Sequence, residues 1–338
     1  MKDSVITMAH GAGGRKMQEF ISTIIKKYFS NPILDKMDDA AILPAVKGRL
    51  VFTTDSFVVT PVFFSGGDIG RLAVCGTIND LTAMGAKPLY ITAALIIEEG
   101  FPVSDLEKIL ASMKRTAVEA GVVIAAGDTK VVERGKADKI FINTAGIGVV
   151  YGGKTRISSV NARPGDAVIL TGNLGDHEIA ILKERENLKM RSSISSDCAP
   201  LFRMIKPLLN AKIDLHVMRD PTRGGLAAVL NEISFASGVD IKIFQEAIPL
   251  NRAVKTACSM LGFDPLFLAN EGKMVIFCGS KHAEKALKLL KRSPQGIFAV
   301  IIGRVTGKNK KPLVTMQTTS GGERIVLMPE GEQLPRIC

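Results

Sequence analysis

The sequence contains no tryptophan and only three tyrosines, and aromatic residues make up 5% of its 338 positions. Its core must therefore rest on Ile, Val, Leu, Ala and Met, and a nucleic-acid surface built on base stacking has little to work with. Cysteine is almost as scarce. Five stand at positions 75, 198, 258, 278 and 338, none with CxxC spacing, so neither a zinc site nor a redox pair is signalled. An odd count without a signal peptide argues against a secreted disulfide scaffold. No run of about 18 apolar residues occurs, and no apolar stretch follows Met1-Lys2-Asp3-Ser4. The reading is a soluble, cytoplasmic protein with reduced thiols and no membrane partner. The familiar nucleotide fingerprints are missing too. His10-Gly11-Ala12-Gly13-Gly14-Arg15 is followed by no Gly-Lys-Ser/Thr, and no strand leads from it into G-x-G-x-x-G.

What is present is the composition of a folded globular chain, 46% hydrophobic and 23% charged. The length suggests two domains. The net charge of +11 is scattered. Its densest cluster, Lys281–Arg292, alternates with apolar residues and reads as the solvated face of an amphipathic helix. No nucleic-acid partner is expected. Helical spacing places helices over residues 67–84 and 106–120, and strands over 41–43, 50–54, 89–97, 122–126 and 140–150. Gly152-Gly153 and Pro164-Gly165 mark a boundary within 151–164. A second α/β segment follows, with strands over 167–171, 274–278 and 298–302 and helices over 178–184 and 226–236. The expected domains are 1–152 and 153–327, with a mobile tail over 328–338.

Four acidic motifs lie in the first half: Asp38-Asp39-Ala40-Ala41, Thr53-Thr54-Asp55-Ser56, Ile78-Asn79-Asp80-Leu81 and Gly127-Asp128-Thr129-Lys130. A buried carboxylate needs a cation or donors, and Mg²⁺ prefers hard oxygens that it shares with phosphates. Several Asp residues converging on one cavity would suit two Mg²⁺ ions and a nucleotide triphosphate; capping a helix or turn is the alternative for each. Asp80 falls inside a helix, where there is no capping work. Gly11–Gly14 could wrap phosphates with backbone N–H groups. In the second half, Asp220-Pro-Thr-Arg-Gly-Gly225 and Thr171-Gly-Asn-Leu-Gly-Asp-His177 read as helix entries that favour an anion or simply cap a helix. Glu271, in Asn270-Glu271-Gly272-Lys273, is either a salt-bridged surface residue or a general base at a strand mouth, if burial raises its pKa.

Together these motifs resemble the ATP-dependent enzymes typified by aminoimidazole ribonucleotide synthetase. Within that superfamily they are most similar to the hydrogenase-maturation branch. His10–Gly14, Asn79-Asp-Leu-Thr-Ala-Met-Gly-Ala-Lys-Pro88, Gly127–Lys130, Asp220–Gly225 and the terminal Pro335-Arg-Ile-Cys338 carry the resemblance. The tetrapeptide is the most specific of them. It separates this chain from small-molecule kinases and from selenophosphate synthetases, whose reactive cysteine lies near the N-terminal glycine loop; no cysteine precedes Cys75 here.

The resemblance implies a two-domain α/β (α+β) fold whose N-terminal sheet forms a barrel shared across a homodimer. It implies ATP and Mg²⁺, and chemistry on Cys338. That cysteine receives a carbamoyl group from the carbamoyltransferase HypF, the group is dehydrated to a thiocyanate, and the cyano group passes to iron held by HypC–HypD. Asp38, Asp55, Asp80, Asp128 and Asp220 are the implied Mg²⁺ ligands. Gly11, Gly13, Gly14, Thr54, Asn79, Asp80, Thr129 and Lys130 would bind the nucleotide, and Lys130 would also stabilise developing charge. Glu271 is the candidate base, with His10 behind it. Extended, Pro329 to Cys338 spans roughly 30 Å, enough to visit this site and then a partner's.

Overall fold

The computed structural model describes residues 4–152, 157–188, 193–330 and 336–337. Its first sheet has four strands: β1 (Leu50–Phe57), β2 (Ala86–Glu98), β3 (Val123–Val132) and β4 (Ile140–Val150), in the order β1-β4-β2-β3. Only the β2–β3 pair is parallel. Two helices, α1 (Ile69–Ala83) and α2 (Val103–Ala120), cover its inner face. Asp68 caps α1 by accepting from the N–H groups of Gly70 and Arg71, at 2.8 and 3.0 Å. Gly76 lies on this helix where it packs against the sheet. A Cβ on Gly76 would meet the Phe57 ring at 2.8 Å, so glycine lets α1 lie directly against β1. Each fully buried Ile or Leu in this layer, such as Ile69, Leu72 or Ile91, contributes about 2 kcal/mol.

The second sheet has seven strands: β5 (Asp166–Leu170), β6 (Leu215–Arg219), β7 (Val239–Phe244), β8 (Val275–Gly279), β9 (Val300–Lys308), β10 (Val314–Gln317) and β11 (Glu323–Ile325), in the order β11-β10-β7-β9-β5-β8-β6. Five helices accompany it: α3 (Asp176–Arg185), α4 (Phe202–Asn210), α5 (Gly225–Ser237), α6 (Arg252–Leu261) and α7 (Ser280–Leu290). The last carries the basic cluster and buries Ala283, Ala286 and Leu290 on one side, as its periodicity requires. Among the described residues no helix is long and apolar enough to cross a membrane.

The elements read from the sequence mostly stand where periodicity places them, whereas β6, β7, β10, β11, α4 and α6 were not read from it; two of the differences have local causes. Residues 41–43 form no strand; Pro44 follows directly and cannot donate to a ladder. The α4 helix was not expected because Pro207 lies inside it, yet its apolar face packs Met204, Ile205 and Leu208 into the core.

Candidate active site

The two halves meet along α1. Asn79 is 1% exposed and its amide is fully engaged across the seam. Its Nδ2 donates to the carbonyls of Ala199 (3.0 Å) and Glu271 (3.2 Å), and its Oδ1 accepts from Leu201 N–H (2.9 Å). Asn79, expected among the nucleotide-binding residues, joins the domains through these bonds and positions the Glu271 backbone.

One residue on, Asp80 accepts from Thr53 Oγ1 at 2.8 Å. It faces Asp55 of β1 and Asp220, which follows β6, closely enough that the three charges disturb one another. Burial first, then the Asp55 charge, raises Asp80. Burial raises Asp55, against the pull of Ser56 N–H and Arg223. Burial and then Asp80 push Asp220 to about 7, with Arg219 opposing. Asp220 does not cap α5: the N-cap is Gly224, with no side-chain cap bond.

The remaining predicted ligands lie elsewhere. Register pairs Ser56, Asn143, Ala94 and Asp128 in one row across the sheet. Asp128 is therefore three strands from β1, roughly 14 Å at about 4.8 Å per strand. Asp55, one residue along, points to the opposite face. Asp128 and Asp38 instead line a cavity of about 170 Å³ with Met17, Ile21 and Gly127. Within one chain the five aspartates thus form two groups rather than one, because strand alternation divides them. Alternation also separates Thr129, which is buried, from Asp128 and Lys130, which are exposed and paired at 2.8 Å; that pairing holds Asp128 below its ordinary pKa. Thr54, on the exposed face of β1, accepts from Asn143 and donates to the Thr144 carbonyl.

Gly11 packs on β3, where a Cβ would meet Val131 N at 2.8 Å, whereas Gly13 (φ +78°) and Gly14 have open space around them. His10 is 1% exposed, and its Nδ1 accepts from Thr7 N–H at 2.9 Å. The ring is thereby built into the turn.

No three carboxylate, imidazole or thiol groups among the described residues stand ready to ligate one ion. Even so, Asp55, Asp80 and Asp220 offer only hard oxygens and carry more negative charge than Arg219 and Arg223 offset. That chemistry fits Mg²⁺.

Glu271 is 3% exposed. Burial above all, then Cys198, Asp220, Asp197 and Asp55, raises its pKa well above the usual carboxylate range. The salt-bridged surface alternative is thereby excluded. Its backbone N–H donates to Asp197 Oδ1 (3.1 Å), and Gly272 N–H donates to Oδ2 (3.2 Å). Lys273 pairs with the same carboxylate at 3.0 Å, both side chains being buried. Burial pushes the Asp197 pKa up, but the Lys273 charge and the hydrogen bonds from Lys273 and the Glu271 N–H help hold it below its normal value. Sequence reasoning missed Asp197, since Ser195-Ser196-Asp197-Cys198 reads as a loop. Gly272 was the available signal: a Cβ there would collide with the Asp197 carbonyl.

Arg336 and Ile337, within the segment expected to be a mobile tail, are held at the same seam. Ile337 is 4% exposed and packs in the core cluster that contains Ile181, Cys198 and Ala269. Its carbonyl contacts His177 Nε2 at 3.1 Å. Arg336 pairs with Asp138 at 2.7 Å, and its carbonyl accepts from Arg185 Nη2 (2.7 Å) and Thr60 N–H (3.3 Å). Cys338 itself lies outside the described residues.

Residues 37–150 match the model of the AIR synthase related protein N-terminal domain, and residues 163–314 match that of its C-terminal domain. The chain is 46% identical to carbamoyl dehydratase HypE of Azotobacter vinelandii, over 100% of this chain and 98% of that protein. It belongs to the HypE carbamoyl dehydratase family. The fold agrees. A crystal structure of HypE in complex with ATP superposes with a TM-score of 0.94 at 44% identity, covering 98% of this chain and 99% of that one. The structure of a HypE–HypF complex gives 0.81 at 52% identity, over 92% and 99%. This HypE-family enzyme therefore has the two-domain AIR synthase architecture, and Glu271, Asp197 and the Arg336–Ile337 dipeptide lie along one seam.

Proposed function

We propose that this chain dehydrates a carbamoyl group carried on Cys338 to a thiocyanate, supplying the cyanide ligand of iron in [NiFe] hydrogenase maturation. The observation that carries this reading is the anchoring of Arg336–Ile337 at the seam that also buries Glu271. An ordinary terminus has no reason to be held there. When bound, MgATP supplies a phosphoryl group that turns the amide-like carbamoyl oxygen into a leaving group. Asp55, Asp80 and Asp220 would hold Mg²⁺, with Asp38 and Asp128 in the second group, and Gly11–Gly14 and Lys130 would meet phosphate. Forming the nitrile requires two N–H protons to leave as the C–O bond breaks. Glu271 receives one of them, since a carboxylate this reluctant to ionise is a strong base once it does, and the other leaves with the departing phosphate. HypF is the carbamoyl donor on this reading, and HypC–HypD the acceptor of the cyano group.

Intact-protein mass spectrometry with HypF, carbamoyl phosphate and MgATP tests the proposal. A carbamoyl adduct that loses one water equivalent only with ATP, and is absent from Cys338→Ala, is the expected result. No adduct on wild type, beside a competent HypF control, would return the chain to the small-molecule kinases.

The homodimer is proposed on a separate observation. The outer face of the first sheet exposes Leu50 (61%), Phe52 (69%) and Ile96 (41%), an apolar strand face that a second copy would cover. Phe52→Glu is expected to yield a monomer in light scattering after size exclusion; an unchanged mass would place the interface elsewhere.

A further inference from the structure

We propose that His177 is a positioning residue that seats the chain's terminus for the second of two half-reactions and releases it for the first. The inference rests on the carrier reading of Cys338. His177 is completely buried, on the first turn of α3, and a satisfied core histidine is the ordinary expectation for such a ring. Its partners indicate more. The Ile337 carbonyl at 3.1 Å can only accept, so Nε2 bears the hydrogen. Nδ1 of the neutral ring then accepts from Ser196 Oγ–H at 2.8 Å. Ser196 is itself fixed: its Oγ accepts from Cys198 N–H (3.1 Å), and its N–H donates to the Ser65 carbonyl (2.8 Å). The Phe64 ring stands edge-on to the imidazole at 5.6 Å. Tautomer, rotamer and donor direction are all determined, and the donor points at the penultimate residue of the chain.

Around this bond the seat draws on both domains. Asp138, Thr60 and the Val58 carbonyl hold Arg336 from one side, while Arg185 and His177 hold the dipeptide from the other. Leaving the seat strips a buried N–H of its acceptor and exposes Ile337. Seated chains therefore predominate at rest, and a carbamoyltransferase must draw on the released fraction. A weakened seat should raise the rate of carbamoyl transfer onto Cys338 and lower the rate of its ATP-dependent dehydration. A residue that merely supports the fold would slow both.

Carboxypeptidase Y acting on the full-length chain, with intact mass read over time, reports release of Ile337 without ATP or any carbamoyl donor. The result is therefore independent of the dehydratase reading. His177→Leu fills the space but donates nothing, and Ile337 should be removed about 2- to 12-fold faster than in wild type, the range set by one hydrogen bond. His177→Gln retains an N–H donor and should restore protection. Asp138→Asn, at a partly exposed position, should speed removal without endangering the core. Equal rates in all three variants and wild type would overturn the seat. Faster removal in Gln and Leu alike would overturn the role of the His177 donor. In the coupled assay, slower carbamoyl transfer together with slower dehydration in His177→Leu would reduce the residue to a structural one.

Discussion

Glu271→Gln is expected to leave Cys338 able to accept a carbamoyl group while its dehydration falls by about 10²- to 10⁴-fold, the usual worth of a positioned acid–base group. The substitution keeps shape and volume. The backbone contacts that locate this residue, from its N–H to Asp197 and from Asn79 to its carbonyl, do not involve the side chain. Burial already keeps the carboxyl protonated well above its ordinary pKa, so a neutral amide is a small perturbation and the melting temperature should barely move. Single-turnover mass spectrometry starting from the carbamoylated protein separates the two steps. Dehydration within about tenfold of wild type would remove Glu271 as the base.

Asp220→Asn should separate stability from activity. Asp220 keeps some exposed surface, but burial first and then the charges of Asp80 and Asp55 raise its pKa to about 7. The folded group thus titrates above its unfolded value near 3.9. Between those values the unfolded chain has released a proton that the folded chain still holds, so this group's contribution to stability falls as pH rises toward 7 and stays lost above it. A neutral Asn escapes that loss. The variant without cation should equal wild type near pH 4 and exceed it at pH 8 by on the order of 1–2 kcal/mol, a figure reduced for partial solvent exposure. Added Mg²⁺ should stabilise wild type more than the variant, and ATP turnover should be lost. Urea titrations at the two pH values, with and without Mg²⁺, check this. A variant less stable than wild type at pH 8 would show that Asp220 is held by donors rather than crowded by charge.

Much of the site was legible before any coordinates, for reasons that differ residue by residue. Asp80 stood out because a helix interior offers Asp no backbone donor. Glu271 stood out only conditionally: burial separates a base from a surface ion pair, and burial is a property of the packed chain. Asn79 was recognised as part of a motif, yet its bonds across the seam are visible only in the packed chain. The seven contiguous residues from Thr171 to His177 read as a helix entry, and nothing in them foretells that the last of them reaches the other end of the chain. Asp197 and Arg185 carried no local pattern at all.

The division follows the range of the interactions. Helical and strand periods and the absence of an apolar span are written within a few residues of one another, so the order of residues alone determined them. Which carboxylates share a cavity depended on strand register, which divides Asp55 from Asp128 across three strands and two faces. Where the terminus rests depended on contacts between residues more than 150 positions apart, His177 with Ile337 and Arg185 with Arg336. Only packing of the two domains brings such partners together, because hydrogen bonds and buried charges are selected by distance in space and leave no period in the chain.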